Sequence, residues 1–226
     1  MTQDLRREMV ETCRRMNARG INQGTAGNLS ARAGDGFLIT PTSLPYDRMA
    51  PEDLVEMGFD GAHRGRHRPS SERRFHRDIL RARPDVEVVL HCHSLHATAL
   101  ACHGLSIPAF HYMVGVAGGT TIRCAEYATF GTQALSDHAL EALRDRLACL
   151  LGHHGQISLG RTLDAALALA VEVETLAHMY IQARVLGEPP VLLEAEMHRV
   201  IERMRRMSYG QAPDLDGVDD AARPAA

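Results

Sequence analysis

The stretch VLHCHSLH, residues 89–96, places three histidines within eight positions. The residues leading into it, VEVVLH (86–91), are apolar and rich in valine, as in a buried strand. Side chains alternate between the two faces of a strand, so His91 and His93 share one face, about 6–7 Å apart at a rise of ~3.3 Å per residue. Two imidazoles at this spacing can bind one metal ion, but hydrogen-bonded histidines at a strand end explain the pattern equally well.

A second apolar segment ends in the same way. LLGHHG (150–155) carries His153 and His154 between a strand pattern and a glycine. Glu72, at the start of a predicted helix, adds a carboxylate. Three histidines and a carboxylate suit zinc or another borderline divalent ion, and an exchangeable position would make the site catalytic. The spacing alone does not select between His153 and His154.

The rest of the chain alternates between helical and extended patterns. Predicted helices comprise a segment that ends at Gly20, a segment capped by Ser70 or Ser71, and residues 95–102, 134–146, 162–186 and 193–207. Predicted strands follow the glycine-rich turn 21–30 and cover residues 37–40, 53–57, 86–91, 121–126 and 148–152. This alternation predicts one layered α/β domain over residues 1–210, while the polar tail 211–226 is expected to be disordered. Strand order and direction stay open.

Two further segments offer hydrogen-bond donors to an anion. GTAGNLS (24–30) could present backbone N–H groups and small polar side chains to a phosphate, and Ser70-Ser71 could do so at a helix start. Each also has a structural interpretation, as ordinary turn chemistry or as a helix cap. Taken singly, both segments favour the structural interpretation.

Composition argues against several classes of partner. The formal net charge of -3 and the 4% aromatic content disfavour a nucleic-acid binder, so the arginine-rich run 64–77 is interpreted as a solvated face. No apolar run approaches the ~20 residues that span a bilayer, which disfavours a membrane partner. The N-terminus lacks a signal-peptide pattern and the five cysteines are scattered, so a cytoplasmic location with reduced thiols is expected.

Lysine is absent from the sequence, so all 25 of its Lys and Arg residues are arginines. Chemistry that needs a lysine Schiff base or a phosphate-loop lysine is therefore excluded.

Seven segments together resemble one known family: NQGTAGNLS, ITPTSLPYD, PSSERRFH, HCHSLHATA, IPAFHYM, CAEYATFGT and LGHHG. They closely resemble the class II aldolase/adducin family, and within it the enzymes that cleave L-fuculose 1-phosphate. The resemblance extends from about residue 4 to residue 210. It implies a zinc-dependent enzyme, with Co²⁺ or Mn²⁺ as alternative ions, and a central antiparallel sheet between helices. It also implies a homotetramer with fourfold symmetry whose active sites lie at subunit interfaces.

The family motifs assign roles to individual residues. The implied metal ligands are Glu72, His91, His93 and His154. The implied catalytic residues are Glu72, Tyr112, which reaches a neighbouring subunit's site, and Tyr209. The implied phosphate-binding residues are Thr25, Gly27, Asn28, Thr42, Ser43, Ser70 and Ser71. Ser43 departs from the family, in which a glycine is usual, so its side chain is expected to crowd the phosphate loop.

The implied activity is the reversible cleavage of a ketose 1-phosphate to dihydroxyacetone phosphate and an aldehyde. L-Fuculose 1-phosphate and the related 5-deoxypentulose or methylthioribulose 1-phosphates are the candidate substrates. Two alternatives from the same family are an L-ribulose-5-phosphate 4-epimerase and a methylthioribulose-1-phosphate dehydratase. A non-catalytic, adducin-like scaffold is the alternative from another class, and the intact ligand set argues against it.

Overall fold

The computed structural model describes residues 2–207, so Tyr209 and the tail 211–226 lie outside the described residues. Within this range one sheet has the strand order β4-β3-β2-β1-β5-β8-β7-β6. Its strands are β1 (Asn28–Ala33), β2 (Gly36–Ile39), β3 (Val55–Gly58), β4 (His63–Arg64), β5 (Val88–Cys92), β6 (Arg123–Ala125), β7 (Ala148–Leu151) and β8 (Gly155–Gly160).

The pairing in this sheet is antiparallel, except for the parallel pair of β6 and β7 at one edge. β5 lies near the centre between β1 and β8, and all five of its residues are buried. Its register places Asn28 opposite His91 on one side and Gln156 opposite Cys92 on the other. The expectation of a single α/β domain with a central antiparallel sheet is therefore confirmed, with one parallel edge pair that the resemblance did not imply.

The helices cover both faces of the sheet. They are α1 (Thr2–Ala18), α2 (Arg73–Ala82), α3 (Leu95–Cys102), α4 (Gln133–Ala142), α5 (Leu163–Val185) and α6 (Glu194–Arg206). No helix within residues 2–207 is long and apolar enough to cross a membrane.

The two faces of β5 belong to different hydrophobic cores. Leu90 and Cys92 pack in a cluster with residues of α1 and α5, whereas Val89 packs in a cluster with residues of α2 and α4. His91 shares the face of Val89, and its ring meets Phe75 of α2 edge-on, with centroids 5.5 Å apart. The alternation along β5 therefore directs His91 towards the start of α2.

Most predicted elements agree with the structure, but the short strand β4 and the strand β8 were missed, and one predicted helix cap was wrong. β8 was missed because its Gln156 and Ser158 make the segment look like a polar loop, although all six of its residues are buried. The proposed cap of α2 by Ser70 or Ser71 was wrong. The cap residue is Glu72, and Ser70 Oγ instead accepts a hydrogen bond of 3.2 Å from the Glu72 N–H.

Arginine side chains satisfy carbonyl groups where helices end. The Arg32 guanidinium on β1 donates to the carbonyl oxygens of Leu80, Arg83 and Val86, at and just beyond the end of α2. One nitrogen, Nη2, makes all three contacts, so its two hydrogens are shared among the three carbonyl oxygens.

Replacing Arg32 by Met keeps the apolar stem and removes these donors. Because the Leu80 and Val86 carbonyl oxygens lose the guanidinium donor, while that of Arg83 keeps the Val86 N–H, we expect the free energy of unfolding to fall by about 1–3 kcal/mol in urea titrations. The matched change Arg81→Met, at an exposed position of α2, should stay within about 0.5 kcal/mol of the parent. Equal losses in the two variants would contradict the capping role.

Candidate metal and phosphate site

Four predicted metal ligands meet at the end of β5. His91 lies on β5, His93 follows that strand directly, and His154 lies in the turn between β7 and β8. Because β8 pairs antiparallel with β5, this turn returns the chain to the place where β5 ends. Glu72 arrives from the other direction, as the residue that begins α2.

The ligand atoms are close enough to share one ion. One nitrogen from each of His91, His93 and His154 lies within 4.8 Å of the other two. The Nε2 atoms of His91 and His93 are 3.1 Å apart. Glu72 Oε2 lies 3.2 Å from His91 Nε2, and Glu72 Oε1 lies 3.2 Å from His154 Nε2.

The structure separates the two adjacent histidines between which spacing did not choose and of which the resemblance implied His154. His153 has a φ of 54° and an exposed side chain, and its ring meets that of Tyr127 edge-on at 5.8 Å. His154 instead faces Glu72 and the rings of His91 and His93. The ligand set of Glu72, His91, His93 and His154 is thus brought together, without His153.

The geometry fits a divalent ion. Two donors at ~2.0–2.1 Å from a tetrahedral zinc ion lie about 3.3 Å apart, close to the spacings seen here. Glu72 Oε1 is buried and has no hydrogen-bond partner. His91 Nδ1 lies 2.8 Å from the Gln156 carbonyl oxygen, which fixes the proton on Nδ1 and leaves the Nε2 lone pair for an ion.

Glycine is required where the chain passes behind these ligands. A Cβ at Gly155 would lie 2.6 Å from the Cys92 carbonyl oxygen and 3.0 Å from His93 Cδ2. A Cβ at Gly27 would lie 2.6 Å from the His91 carbonyl oxygen. Both contacts are too short for a side chain, so the glycines in GTAGN and HHG let β1 and β8 approach the predicted metal ligands.

The three segments implied in phosphate binding converge beside Glu72. Thr40 links them, because its N–H and hydroxyl pair with the backbone of Leu29 and its carbonyl oxygen accepts the Ser70 N–H. The Thr42 N–H donates to the Arg68 carbonyl oxygen, and this hydrogen bond joins the loop after β2 to the loop before α2. Thr25, Thr42, Ser43 and Ser71 are exposed, whereas Gly27, Asn28 and Ser70 are buried.

Ser43 occupies an unusual backbone conformation. Its φ is 57°, in the left-handed region that favours glycine. The glycine expected at this position would therefore adopt the turn without strain. In this chain, Ser43 adds an exposed hydroxyl to the loop that carries Thr42.

Residues 7–181 match the family described as the class II aldolase and adducin N-terminal domain. This chain belongs to that family. Class II aldolases are aldehyde-lyases that use a divalent metal ion, which agrees with the three-histidine site.

Individual relatives cover nearly the whole aldolase-like domain. A 5-methylthioribulose-1-phosphate/5-deoxyribulose-1-phosphate aldolase from Rhodospirillum rubrum is 52% identical, over 93% of this chain and 95% of the relative. An L-fuculose phosphate aldolase from Escherichia coli is 46% identical, over 91% of this chain and 95% of the relative. The solved structure of an L-fuculose 1-phosphate aldolase superposes with a TM-score of 0.87 at 35% identity, covering 89% and 96% of the two chains.

Burial and neighbouring groups together set the charge of three predicted metal ligands. Burial lowers the pKa of His93 to about 4 and that of His154 to about 4, and the proximity of His91 adds to both shifts. For Glu72, burial raises the pKa, but His91, His154 and a hydrogen bond from Asn28 outweigh burial and hold that pKa below its usual range. His93, His154 and Glu72 therefore take their metal-binding forms at neutral pH.

The catalytic tyrosines implied by the resemblance lie apart from this cluster or outside the described residues. Tyr112 begins a short 3-10 helix (Tyr112–Ala117) and is 47% exposed. Among residues 2–207, its ring contacts only that of His111, at 4.8 Å. Tyr209 lies beyond the described residues.

Sequence reasoning missed three buried residues of the aldolase-like site. The Tyr46 hydroxyl donates to the Gly27 carbonyl oxygen at 2.5 Å and so supports the glycine-rich turn. His76 and Ser30 form a hydrogen-bonded pair beside Asn28. A signal was available for His76, because it follows Glu72 by four positions and shares its side of α2.

A Cβ at position 155 should disturb the ligands directly. For Gly155→Ala, we expect zinc affinity to fall at least tenfold, about the loss typical when the support of a ligand is removed, as measured by competition with a chromogenic chelator. Gly104→Ala is the control for an added Cβ that has no atom within 4 Å; its φ of 65° strains the backbone at that position only, so it tests for a general loss of stability without contact with the ligands. Similar zinc affinities in the two variants would contradict this explanation for Gly155.

Stability should depend on pH through His76, which is fully buried. Burial, followed by the proximity of His91, lowers its pKa to about 3, against about 6.5 in an unfolded chain. Between these two pKa values, His76 is protonated in the unfolded chain and neutral in the folded protein. The contribution of His76 to stability is therefore fully present above pH ~6.5 and is lost as the pH falls towards 3.

Between pH 6 and pH 4.5, the free energy of unfolding of the metal-free protein should therefore fall with decreasing pH. This fall should be about 1.4 kcal/mol per pH unit steeper than in the His76→Gln variant, as measured by urea unfolding. His103→Gln, at an exposed histidine, should keep the parent's slope. If the His76→Gln slope equals that of the parent, His76 does not titrate in this way.

Proposed function

We propose that this protein is a metal-dependent aldolase that reversibly cleaves a ketose 1-phosphate to dihydroxyacetone phosphate and an aldehyde. The observation that carries the proposal is the meeting of a three-histidine and carboxylate set with three donor-rich segments at the end of the central strand β5. Relatives named for this chemistry match more than nine tenths of the chain. The higher identity of the methylthioribulose and deoxyribulose enzyme favours a 5-deoxypentulose or methylthioribulose 1-phosphate over L-fuculose 1-phosphate. The cytoplasmic location expected from the sequence is part of this proposal.

Zn²⁺ is the proposed ion, held by Glu72, His91, His93 and His154. Imidazole and carboxylate donors suit zinc, and Co²⁺ or Mn²⁺ share enough of this preference to serve as alternatives. When bound, the ion would act as a Lewis acid on the ketose carbonyl and stabilise the negative charge that cleavage leaves beside it. The chain has no lysine that could do this by forming a Schiff base.

Glu72 is the proposed acid and base at carbon. Cleavage of the C3–C4 bond leaves an enediolate, which must gain a proton at carbon to become dihydroxyacetone phosphate. Glu72 would deliver this proton in cleavage and remove it in condensation. Its Oε1 has no hydrogen-bond partner, so proton transfer there would break no existing hydrogen bond.

The phosphate would bind in the pocket formed by the three converging segments. Thr25, Gly27, Thr42, Ser43, Ser70 and Ser71 supply hydroxyl groups and backbone N–H groups, and Asn28 keeps a second amide hydrogen beyond the one given to Glu72. Binding the phosphate away from the reacting bond supplies energy that orients the sugar on Glu72 and the ion.

Assembly completes the proposed site. In a homotetramer, Tyr112 of a neighbouring subunit would move the proton of the C4 hydroxyl as the C3–C4 bond breaks. Its high exposure within one chain supports this role, because the side chain is free to reach another subunit. Tyr209 is proposed to contribute at the same end of the sugar.

The test measures dihydroxyacetone phosphate released from three substrates by the zinc-loaded protein. These are methylthioribulose 1-phosphate, a 5-deoxypentulose 1-phosphate and L-fuculose 1-phosphate, each with and without a chelator. We expect release that the chelator abolishes, fastest with the first two sugars. Absence of release from every sugar would overturn the aldolase proposal and favour epimerase or dehydratase chemistry on the same ligands.

Glu72→Gln tests the proton transfer separately. The amide cannot exchange the proton, so kcat should fall by about 10²–10⁴. Inorganic phosphate should inhibit the residual activity as it inhibits the parent, because the phosphate segments are unchanged. An unchanged kcat would exclude Glu72 as the acid and base.

A further inference from the structure

The two oxygens of Glu72 have different surroundings. Oε2 accepts a hydrogen bond of 2.9 Å from Asn28 Nδ2 and lies 3.2 Å from His91 Nε2. Oε1 is buried and lies 3.2 Å from His154 Nε2, but it accepts no hydrogen bond. Oε2 is therefore anchored by a hydrogen bond, whereas Oε1 is free of hydrogen bonds.

A chain of buried hydrogen bonds leads away from the anchored oxygen. Asn28 Oδ1 lies 2.5 Å from His76 Nε2, and His76 Nδ1 lies 2.7 Å from Ser30 Oγ. Ser30 and His76 are fully buried, and Asn28 and Glu72 are at most 5% exposed. These side chains therefore satisfy one another rather than water.

The acceptors at the two ends give this chain a single direction. An ionised Glu72 only accepts, so Asn28 must present its NH₂ group to Glu72 and its Oδ1 to His76. His76 Nε2 must then carry a hydrogen. Because burial keeps the ring neutral, its Nδ1 accepts the Ser30 hydroxyl hydrogen.

The secondary structure brings these partners together. Asn28 and Ser30 are two positions apart on β1 and so share one face of that strand. His76 lies one helical turn after Glu72 on α2. The face of β1 thus contacts the side of α2 that carries the carboxylate, and each element supplies alternate members of the chain.

A rotation of ~180° about the Cβ–Cγ bond of an asparagine exchanges Oδ1 and the NH₂ group with little change in shape. Without a donor at His76, the flipped amide would place Oδ1 against the Glu72 carboxylate, which replaces a hydrogen bond with repulsion. The His76 N–H prevents the flip, because a flipped amide would set an NH₂ group against that donor.

We propose that His76, oriented by Ser30, is a positioning residue that fixes the Asn28 amide and thereby anchors Glu72 Oε2, leaving Oε1 to transfer the proton. This inference rests on the proposed function of Glu72. It assigns His76 no contact with the substrate. Loss of the chain should lower kcat and metal affinity more than it weakens binding of the phosphate group, because six of the seven proposed phosphate-binding residues lie outside the chain.

The experiment compares His76→Leu with His76→Gln. Leucine fills the space without a donor, whereas the glutamine amide can return an N–H to Asn28 Oδ1. We expect His76→Leu to lose about 10–100-fold in zinc affinity and in kcat, with KM for the sugar phosphate changed by less than about threefold. His76→Gln should restore both quantities to within about threefold of the parent.

A second pair of variants covers the case in which His76→Leu does not fold. Ser30→Ala removes only the hydroxyl that orients the ring, and Ser136→Ala removes an equally buried hydroxyl that donates to Asp78, away from the ligands. Zinc affinity should fall about 3–10-fold in Ser30→Ala and stay unchanged in Ser136→Ala.

Zinc affinity, measured by chelator competition, does not require turnover, so it separates this inference from the proposed function. If the parent cleaves none of the sugars but the variants keep the expected order of zinc affinity, the aldolase proposal fails and the anchoring of Glu72 stands. If His76→Leu and His76→Gln bind zinc equally, or Ser30→Ala matches Ser136→Ala, His76 only fills the core and the inference is overturned.

Discussion

The antiparallel pairing of β5 with β1 and β8 is the constraint on which the site depends. It sets Asn28 opposite His91, and it brings the Gln156 carbonyl oxygen to His91 Nδ1 and the β7–β8 turn to the end of β5. A shift of one residue in this register would move His91 to the opposite face of the sheet, into the core between α1 and α5. The close passage of Gly27 and Gly155 behind the ligands is part of the same constraint.

A buried carboxylate among imidazoles is costly unless its neighbours compensate. Glu72 is only 4% exposed, and compensation comes from one anchored oxygen, the nearby histidines and the polar chain through Asn28 to His76. A divalent ion bound to the free oxygen and the histidines would complete this balance. The free oxygen, Oε1, is the one proposed to bind the ion and to transfer the proton, while Oε2 stays anchored by Asn28.

Local patterns predicted the elements that are stabilised locally. The helices α1 and α2 follow from apolar periodicity, and β5 from its valines. β8 was missed because its Gln156 looks like a loop residue. In the structure, the Gln156 side-chain amide is buried and donates to Ser94 Oγ and to the Ala170 carbonyl oxygen, both distant in sequence. Capping by Ser70 or Ser71 was wrong for a similar reason, because the loop before α2 is tied to Thr40 and the helix begins later, at Glu72.

The sequence by itself determined the donor set of the site, the family and the exclusion of Schiff-base chemistry. Donor type is a property of each side chain, and the alternation that places His91 and His93 on one face needs only a strand. Spacing left His153 and His154 open and the resemblance implied His154; the tertiary structure places His154 with the other three residues. Only the tertiary structure made the two Glu72 oxygens unequal and connected His76 to the carboxylate. Those outcomes depend on backbone turns and on contacts such as Asn28 with Glu72 and His91 with Gln156, which join residues far apart in the chain. Periodicity describes a residue's own element and carries no information on which distant element will lie against it.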